Sequence, residues 1–344
     1  MENDKLRNIY NAFAVSGKFI SANPLEGEGA YRVITNEEAE YILQCFPPCP
    51  PANIPAMIWN KEMVYGHIRS GLINRRVSDI TRKHITCFHT HRHQPFYKDH
   101  DGNHWTLSLL IKETNAAPPV DNTESAREIG NALGAFVQRT KDFDPTLLKE
   151  TYPAYQNVRL WQQQLDNALK NAGEERQKAC APILEQLRPF DRQARDWQDA
   201  LDNETIPRRV AHNNFDTKSV LLDRNQKTLC LVRLKTVMPG ILHYDFGDGA
   251  YAAREPGGQF NNDYFSAFTA GFMEQARRLL ARKERDTLHI ALELMPYLQA
   301  SRRLVRYLRE GLDAHLRETA DRLQFLLSAA LQRAAARKII DSCP

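Results

Sequence analysis

Apolar residues recur at two different spacings along this chain, and the spacing changes near residue 112. Before that point, short runs rich in β-branched and aromatic residues, such as 31–35 and 40–46, are separated by polar and turn-forming residues. Such runs are typical of β-strands. The dipeptide Asp101-Gly102 predicts the turn of a hairpin, and the run 105–111 predicts its second strand. These patterns predict a small strand-rich lobe with one helix.

Beyond residue 112 the apolar residues follow helical spacing, which predicts amphipathic helices. The segments with this period are 124–140, 158–169, 177–187, 265–282 and 289–340. One pair of short strands, at 220–222 and 229–234, lies between the helices, and a proline-containing segment at 115–121 predicts a hinge. The chain is thus predicted to be an α+β protein with a strand-rich lobe at 1–112 and a helical lobe at 113–344.

The composition is typical of a globular protein, with 42% hydrophobic and 26% charged residues. No run approaches the roughly 18 consecutive apolar residues that a membrane-spanning helix needs, so no membrane association is expected. The first residues are polar and lack the apolar core of a signal peptide, which predicts a cytoplasmic protein. A net charge of +4 is small for 344 residues, so nucleic acid is not an expected partner.

Two segments carry the candidate chemistry: HNNFDTKSVLLD at 212–223 and VRLKTVMPGILHYDFGDG at 232–249. They resemble the catalytic and metal loops of the aminoglycoside phosphotransferase and choline kinase family. The pattern is most similar to that of N-acetylhexosamine 1-kinases, which read roughly HNDTKxNNVLxD, IDLDTxMPG and YDFGD. The resemblance extends over most of the chain. It implies a protein-kinase-like bilobal fold of the aminoglycoside phosphotransferase type and an ancestry in ATP-dependent phosphoryl transfer to a sugar.

Several positions depart from this family pattern. Without gaps, the family's catalytic Asp falls on Asn214 and its metal-binding Asn falls on Ser219. The two Asp residues of the IDLDT segment fall on Arg233 and Lys235. An amide is neither a charge nor a base at neutral pH, and Mg²⁺ takes oxygen ligands. We therefore expect no magnesium at Ser219 and Arg233, and phosphoryl transfer, which relies on positioned carboxylates and metal, is expected to be impaired.

A second alignment of the same loop also has to be considered, because Asp216-Thr217-Lys218 reproduces the DTK of the family pattern. It requires a paired insertion and deletion, so the ungapped alignment is favoured. In the second alignment Asp216 would be the catalytic carboxylate, with His212 beside it. Neither alignment places an Asn directly before Val220.

The N-terminal lobe carries the expected nucleotide-binding positions. Gly27 and Gly29 lie where the family has a glycine-rich phosphate-binding loop, although the loop here is shorter. Gln44 stands where protein kinases keep a phosphate-binding Lys, but the sugar kinases also tend to carry Gln there. Glu62 falls on the acidic position of the following helix.

Arg233 and Lys235 suggest a different way to hold phosphate. Fixed cations can neutralise phosphate without a metal, so ATP bound without magnesium, or a sugar phosphate, is a reasonable ligand. The alternative is that these two side chains form salt bridges with Asp245 or Asp248.

Three histidines, His89, His91 and His93, alternate along the chain. On a strand they would share one face and could hold a metal ion. An exposed polar hairpin face has the same pattern and is the more common explanation.

Four arginines, Arg302, Arg303, Arg306 and Arg309, fall on one side of a predicted helix. They could bind an anion or a partner, although a solvated cationic helix face is more common.

The leading hypothesis is a pseudokinase that binds a nucleotide, a sugar phosphate or a partner without efficient phosphoryl transfer. One alternative is an active sugar kinase that uses Asp216 with a rearranged metal site. Another is a scaffold that associates with an active paralogue through its helical lobe.

Overall fold

The computed structural model describes residues 2–25, 29–203 and 206–343. The chain divides into two compact units. The first consists of Met1–Asn115, Asp142–Pro153 and Leu221–Pro239, and the second of Ala116–Lys141, Ala154–Val220 and Gly240–Pro344. The two-lobe prediction places 142–153 and 221–239 with the helices, so the units and the predicted lobes differ at those segments.

The strands are β1 (Phe19–Pro24), β2 (Ala30–Thr35), β3 (Tyr41–Phe46), β4 (Cys87–Phe88), β5 (Tyr97–Lys98), β6 (His104–Leu109), β7 (Asn115–Ala116), β8 (Arg209–Ala211), β9 (Val220–Leu222), β10 (Thr228–Leu231) and β11 (Met238–Gly240). The helices are α1 (Glu2–Tyr10), α2 (Ile54–Asn74), α3 (Ile80–Lys83), α4 (Thr123–Thr140), α5 (Val158–Asn171), α6 (Glu174–Leu187), α7 (Asp191–Asn203), α8 (Leu242–Ala252), α9 (Asn262–Ala276), α10 (Arg282–Thr287), α11 (Ala291–Glu310), α12 (Asp313–Leu331) and α13 (Arg333–Ser342).

The main sheet of the first unit is antiparallel, with the order β1-β2-β3-β6-β4, and β5 also pairs with β6. The predicted hairpin turn is present between β5 and β6, where Gly102 has a φ of +82° that favours glycine. In β3, Tyr41 and Leu43 point to the face that packs against Leu6 and Ile9 of α1. Gln44 lies on the opposite face, since side chains alternate along a strand.

Helix α2 covers this opposite face. It begins after Asn53, whose side chain accepts a hydrogen bond from the Ala56 backbone N–H at 3.1 Å and so caps the first turn. The apolar contacts between α2 and the sheet region are made by Ile54, Met57, Ile58, Phe46 and Phe96. The first unit therefore has a helix on each side of the sheet.

Asn60 of α2 explains why distant segments belong to the first unit. Its buried side-chain amide donates to the Lys149 carbonyl at 2.7 Å and to the Val237 carbonyl at 2.9 Å. Its oxygen accepts from the Lys149 N–H at 3.0 Å. A buried amide is stable only when its polar atoms are paired, so Asn60 holds 142–153 and 221–239 against the helix.

The second unit is built around helix contacts that require glycine. Helix α4, predicted over 124–140, begins after a capping box formed by Asn122 and Ser125. A Cβ atom added at Gly130 would lie 2.0 Å from the Phe268 carbonyl oxygen of α9. One added at Gly271 of α9 would lie 2.2 Å from a carbonyl oxygen of α4. The two backbones are thus closer than any larger residue would permit.

Helix α11 forms the centre of a large buried cluster of the second unit, with contributions from α5, α6, α7 and α12. It ends at Gly311, whose φ of +74° is typical of a helix C-cap. Its four arginines do not form one solvated face, because Arg302 is buried and Arg303 half-buried, while Arg306 and Arg309 are exposed. No helix in the described ranges is long and apolar enough to cross a membrane.

We expect Gly130→Ala to destabilise the protein by about 1–3 kcal/mol or more, because the added methyl group forces α4 and α9 apart. Gly66→Ala is the matched control. Gly66 also lies inside a helix, but a Cβ there meets nothing within 4 Å, so alanine should raise stability by up to about 1 kcal/mol. Urea unfolding of both variants tests this, and equal midpoints would contradict it.

Candidate functional site

The loop at 212–219 follows β8 and is held by Asp245 of α8. The Oδ2 atom of Asp245 accepts the backbone N–H of His212 at 2.7 Å, and its Oδ1 atom accepts that of Asn213 at 2.7 Å. Burial raises the pKa of Asp245 to about 7, while the two backbone hydrogen bonds act in the opposite direction. One buried carboxylate thus fixes the backbone at the start of the loop.

His212 and Asn213 are both part of the scaffold of this loop. The His212 side chain is 1% exposed, and its ring packs edge-on against Phe136 and Phe215, with ring centroids 6.4 Å and 5.9 Å apart. Asn213 has a φ of +63°, a left-handed conformation that Asn tolerates better than most residues. The burial of His212 does not favour its predicted catalytic role, and a role in positioning the loop fits better.

Asn214, Asp216 and Ser219 lie on the rest of the loop. Asn214 is half-buried between two buried neighbours. The Ser219 hydroxyl donates to Asp216 Oδ1 at 2.8 Å, and the Ser219 N–H donates to the Asp216 carbonyl at 3.0 Å. Asp216 and Ser219 therefore form one hydrogen-bonded turn directly before β9.

Arg233 and Lys235 lie in the first unit, on a tight turn after β10. Arg233 has a φ of +62°, and the Lys235 N–H donates to its carbonyl at 2.7 Å. Both side chains are exposed. Arg233 offers a cation where the family pattern expects an oxygen ligand, and a guanidinium does not coordinate magnesium.

The predicted phosphate loop of the first unit is described only in part. Gly27 lies outside the described residues. Gly29 has a φ of +69°, and its carbonyl accepts the Cys45 N–H at 2.7 Å. Gln44, the predicted nucleotide-binding residue of β3, lies opposite Thr106 of β6 and donates to the Cys45 carbonyl at 3.0 Å. Gly29 and Gln44 therefore both contact Cys45, so the structure brings these two predicted residues together.

Glu62 of α2 pairs with a histidine. Its Oε2 atom lies 2.8 Å from Nε2 of His89. Glu62 is half-buried and His89 is exposed. The acidic side chain that the family resemblance identified thus has a hydrogen-bonding partner within the first unit.

The structure does not support the metal site predicted at His89, His91 and His93. Strand β4 ends at Phe88, before the first of the three, and the chain turns so that His93 has a φ of +58°. Alternation therefore does not bring the imidazoles to one face. Within the described ranges, no three His, Cys, Asp or Glu side chains could hold a metal ion together.

One cation of the first unit was missed by the sequence reasoning. Lys61 of α2 places its amino group 3.4 Å from the Thr106 hydroxyl and 5.6 Å from the ring centroid of Phe46. Because Thr106 lies opposite Gln44 in the sheet, Lys61 brings a positive charge to the sheet face where protein kinases carry their lysine. Its position beside Glu62 in the sequence is the signal that could have identified it.

The Asp245-Phe-Gly-Asp248 segment lies inside α8. Asp248 is 1% exposed and accepts two long hydrogen bonds from the Gln299 amide, at 3.2 Å and 3.4 Å. Both carboxylates of the segment are buried in the second unit, so the segment contributes to the packing of α8.

Several solved structures with this fold are kinases and phosphotransferases. An aminoglycoside phosphotransferase from Alicyclobacillus acidocaldarius is 10% identical, with a TM-score of 0.66 and coverage of 97% of this chain and 96% of that one. A choline/ethanolamine kinase family protein from Mesorhizobium loti is 14% identical, with a TM-score of 0.59 and coverage of 98% and 100%. A spectinomycin phosphotransferase in complex with ADP and spectinomycin is 11% identical, with a TM-score of 0.59 and coverage of 96% and 98%. The predicted protein-kinase-like α+β fold is confirmed.

The family follows from the sequence itself. Residues 94–280, more than half of the chain, match the model of the phosphotransferase enzyme family. The chain belongs to that family. The finer resemblance to N-acetylhexosamine 1-kinases stays a prediction.

We expect Asp245→Asn to lower the free energy of unfolding by about 1.5–3 kcal/mol, because an amide group cannot accept both backbone N–H groups. The loss should depend on pH. Since the folded pKa of about 7 exceeds the ordinary value of 3.8, the stabilisation from Asp245 is complete below the ordinary value and decreases as the pH rises through 7. Denaturation at a series of pH values should therefore show the difference shrinking as the pH rises.

The control for this experiment is Asp321→Asn, which removes an exposed carboxylate from α12. It should change stability by less than about 0.5 kcal/mol. An Asp245→Asn variant as stable as this control at every pH would refute the scaffold role of Asp245.

Proposed function

We propose that this protein is a pseudokinase that binds a nucleotide or a phosphorylated sugar with fixed cations and transfers phosphate inefficiently or not at all. The observation that supports this most strongly is the contrast within loop 212–219. Its backbone is held by Asp245 through two short hydrogen bonds, whereas Asn214 and Ser219 stand where the family resemblance expects the catalytic and metal-binding side chains. The loop thus has a fixed backbone but lacks the side chains that the family pattern uses for phosphoryl transfer.

Nucleotide binding is proposed on two grounds. A spectinomycin phosphotransferase with the same fold carries ADP in its solved structure, and the first unit offers exposed and half-buried cations that suit phosphate. Lys61, Arg233 and Lys235 supply ammonium and guanidinium groups. Such groups neutralise phosphate oxygens through charge-assisted hydrogen bonds, with no metal needed.

The second candidate function is an active kinase that uses Asp216. The observation in its favour is that Asp216 is a half-buried carboxylate on the loop. Its Oδ1 atom accepts the Ser219 hydroxyl at 2.8 Å, and a carboxylate on this loop can orient a substrate hydroxyl for attack. This function would require magnesium, since ATP transfer depends on a metal bridging its phosphates.

A thermal-shift titration with ATP, once in EDTA and once in excess magnesium, separates the two functions. We expect ATP to raise Tm in EDTA, by several degrees at concentrations near 100 times Kd. Added magnesium should reduce the shift, because it neutralises the charge that the fixed cations recognise. Stabilisation that appears only with magnesium would favour the active kinase instead.

Lys61→Gln should weaken ATP binding in EDTA about tenfold, because it removes one charge-assisted contact with phosphate. Arg69→Gln is the matched control, since it removes one positive charge from an exposed position of the same helix. Isothermal titration of both variants measures the effect. If the two variants bind ATP equally well, Lys61 has no part in nucleotide binding.

A further inference from the structure

A group of arginines in the second unit is not explained by the fold alone. This arginine cluster consists of Arg254, Arg302, Arg303 and Arg322. Arg302 and Arg303 come from α11, Arg322 from α12 and Arg254 from the segment after α8. Arg302 is 5% exposed, and the other three are half-buried.

Arg302 is buried with part of its hydrogen-bonding capacity unused. Its Nη2 atom donates to Gln156 Oε1 at 2.9 Å, and its guanidinium lies 4.3 Å from the ring centroid of Tyr155. Its Nη1 atom is buried and has no hydrogen-bond partner in the described part of the chain. Its hydrogen bonds within the described ranges go to neutral oxygens, those of Leu298 and Gln156, and a buried guanidinium that is not hydrogen-bonded to a carboxylate is costly. The unpaired Nη1 atom is therefore a position at which an anionic ligand could bind.

Gln156 connects Arg302 to the loop at 212–219. The side-chain amide of Gln156 donates to the Asn213 carbonyl at 3.3 Å, while its oxygen accepts from Arg302. Asn213 directly precedes Asn214, the residue at the family's catalytic position. An anion held by Arg302 would therefore lie two hydrogen bonds away from the loop.

Arg322 is held in place by stacking. Its guanidinium lies 3.4 Å from the ring centroid of Tyr251, and that of Arg254 lies 4.0 Å from the same centroid. Arg322 makes no hydrogen bond to any residue that the structure describes. A stacked guanidinium keeps its five donors in a fixed plane, so Arg322 is oriented in advance for an anion and has donors left to bind one.

The charges in this region do not balance. Asp248 is buried and interacts electrostatically with Arg322, Arg302 and Arg303, and the exposed Glu318 pairs with Arg303 at 2.6 Å. Burial lowers the pKa of Arg322 to about 10, and repulsion by Arg303 contributes. Four guanidinium groups against two carboxylates leave an excess of positive charge, which an anionic ligand would relieve.

We propose that the arginine cluster binds the anionic group, a phosphate or a carboxylate, of a small-molecule ligand beside the loop at 212–219. This inference rests on the proposed function in one respect. It takes the anionic ligand to be the second substrate of the family, the molecule that accepts the phosphate, and not the nucleotide. The ligand would then differ from a neutral sugar, because its acidic group is what the cluster recognises.

Binding of four probes, measured by thermal shift and isothermal titration without nucleotide, tests this. The probes are inorganic phosphate, glucose 6-phosphate, glucuronate and glucose. We expect the wild-type protein to bind at least one of the three anions and not glucose. Glucose 6-phosphate and glucuronate distinguish a phosphate from a carboxylate as the recognised group.

Arg322→Gln should weaken anion binding at least tenfold, since it removes the charge-assisted donors. Arg302→Met should do the same, since it removes the buried donor with which the anion would pair, and urea unfolding of the unliganded variant checks that it is folded. Arg306→Gln is the control, as it removes an exposed charge from the same helix and should leave binding unchanged.

Two results would overturn the inference. One is that no anion binds the wild-type protein. The other is that anions bind Arg322→Gln and Arg302→Met as well as the wild type. Phosphate binding that survives both substitutions but is lost in Lys61→Gln would place the anion at the nucleotide site, against the inference but not the proposed function. Anion binding lost in Arg322→Gln, with no ATP shift in EDTA, would reject the proposed function and keep the inference.

Discussion

The buried carboxylate of Asp245 is the interaction on which the loop at 212–219 depends. It accepts the backbone N–H groups of His212 and Asn213, each at 2.7 Å, and it does so from the interior of α8, where water cannot replace it. Loss of such an acceptor is costly, because it would leave two buried backbone N–H groups unpaired. The two residues that it holds are the left-handed Asn213 and the buried His212.

In the loop at 212–219, the residues that fix the backbone are different from the residues expected to act on a substrate. The backbone of the loop is specified by residues that face the core, whereas phosphoryl transfer depends on side chains that face a substrate. In the proposed function, Asn214 and Ser219 stand at positions of the second kind, while the first kind is present. The roles proposed for Lys61 and Arg322 rest on the same reasoning, because fixed positive charges can hold phosphate groups without a metal.

Much of the fold could be predicted from local patterns. The period of 124–140 predicted α4 to within one residue, and Asp101-Gly102 predicted a hairpin turn, because both depend on short-range preferences. Tertiary contacts could not be predicted in this way. The strand expected to align three histidines ends at Phe88, and Arg302, expected on a cationic face, is buried because α11 crosses the core.

The central claim is that the loop keeps its architecture without a metal-nucleotide site. Electron paramagnetic resonance of Mn²⁺ in the presence of ADP tests this most directly, since a bound ion loses its free-ion signal. We predict that adding the protein does not decrease the free Mn²⁺ signal. The signal should rise if the protein binds metal-free ADP, because less ADP then remains to bind Mn²⁺. A saturable loss of that signal in proportion to the protein would contradict it.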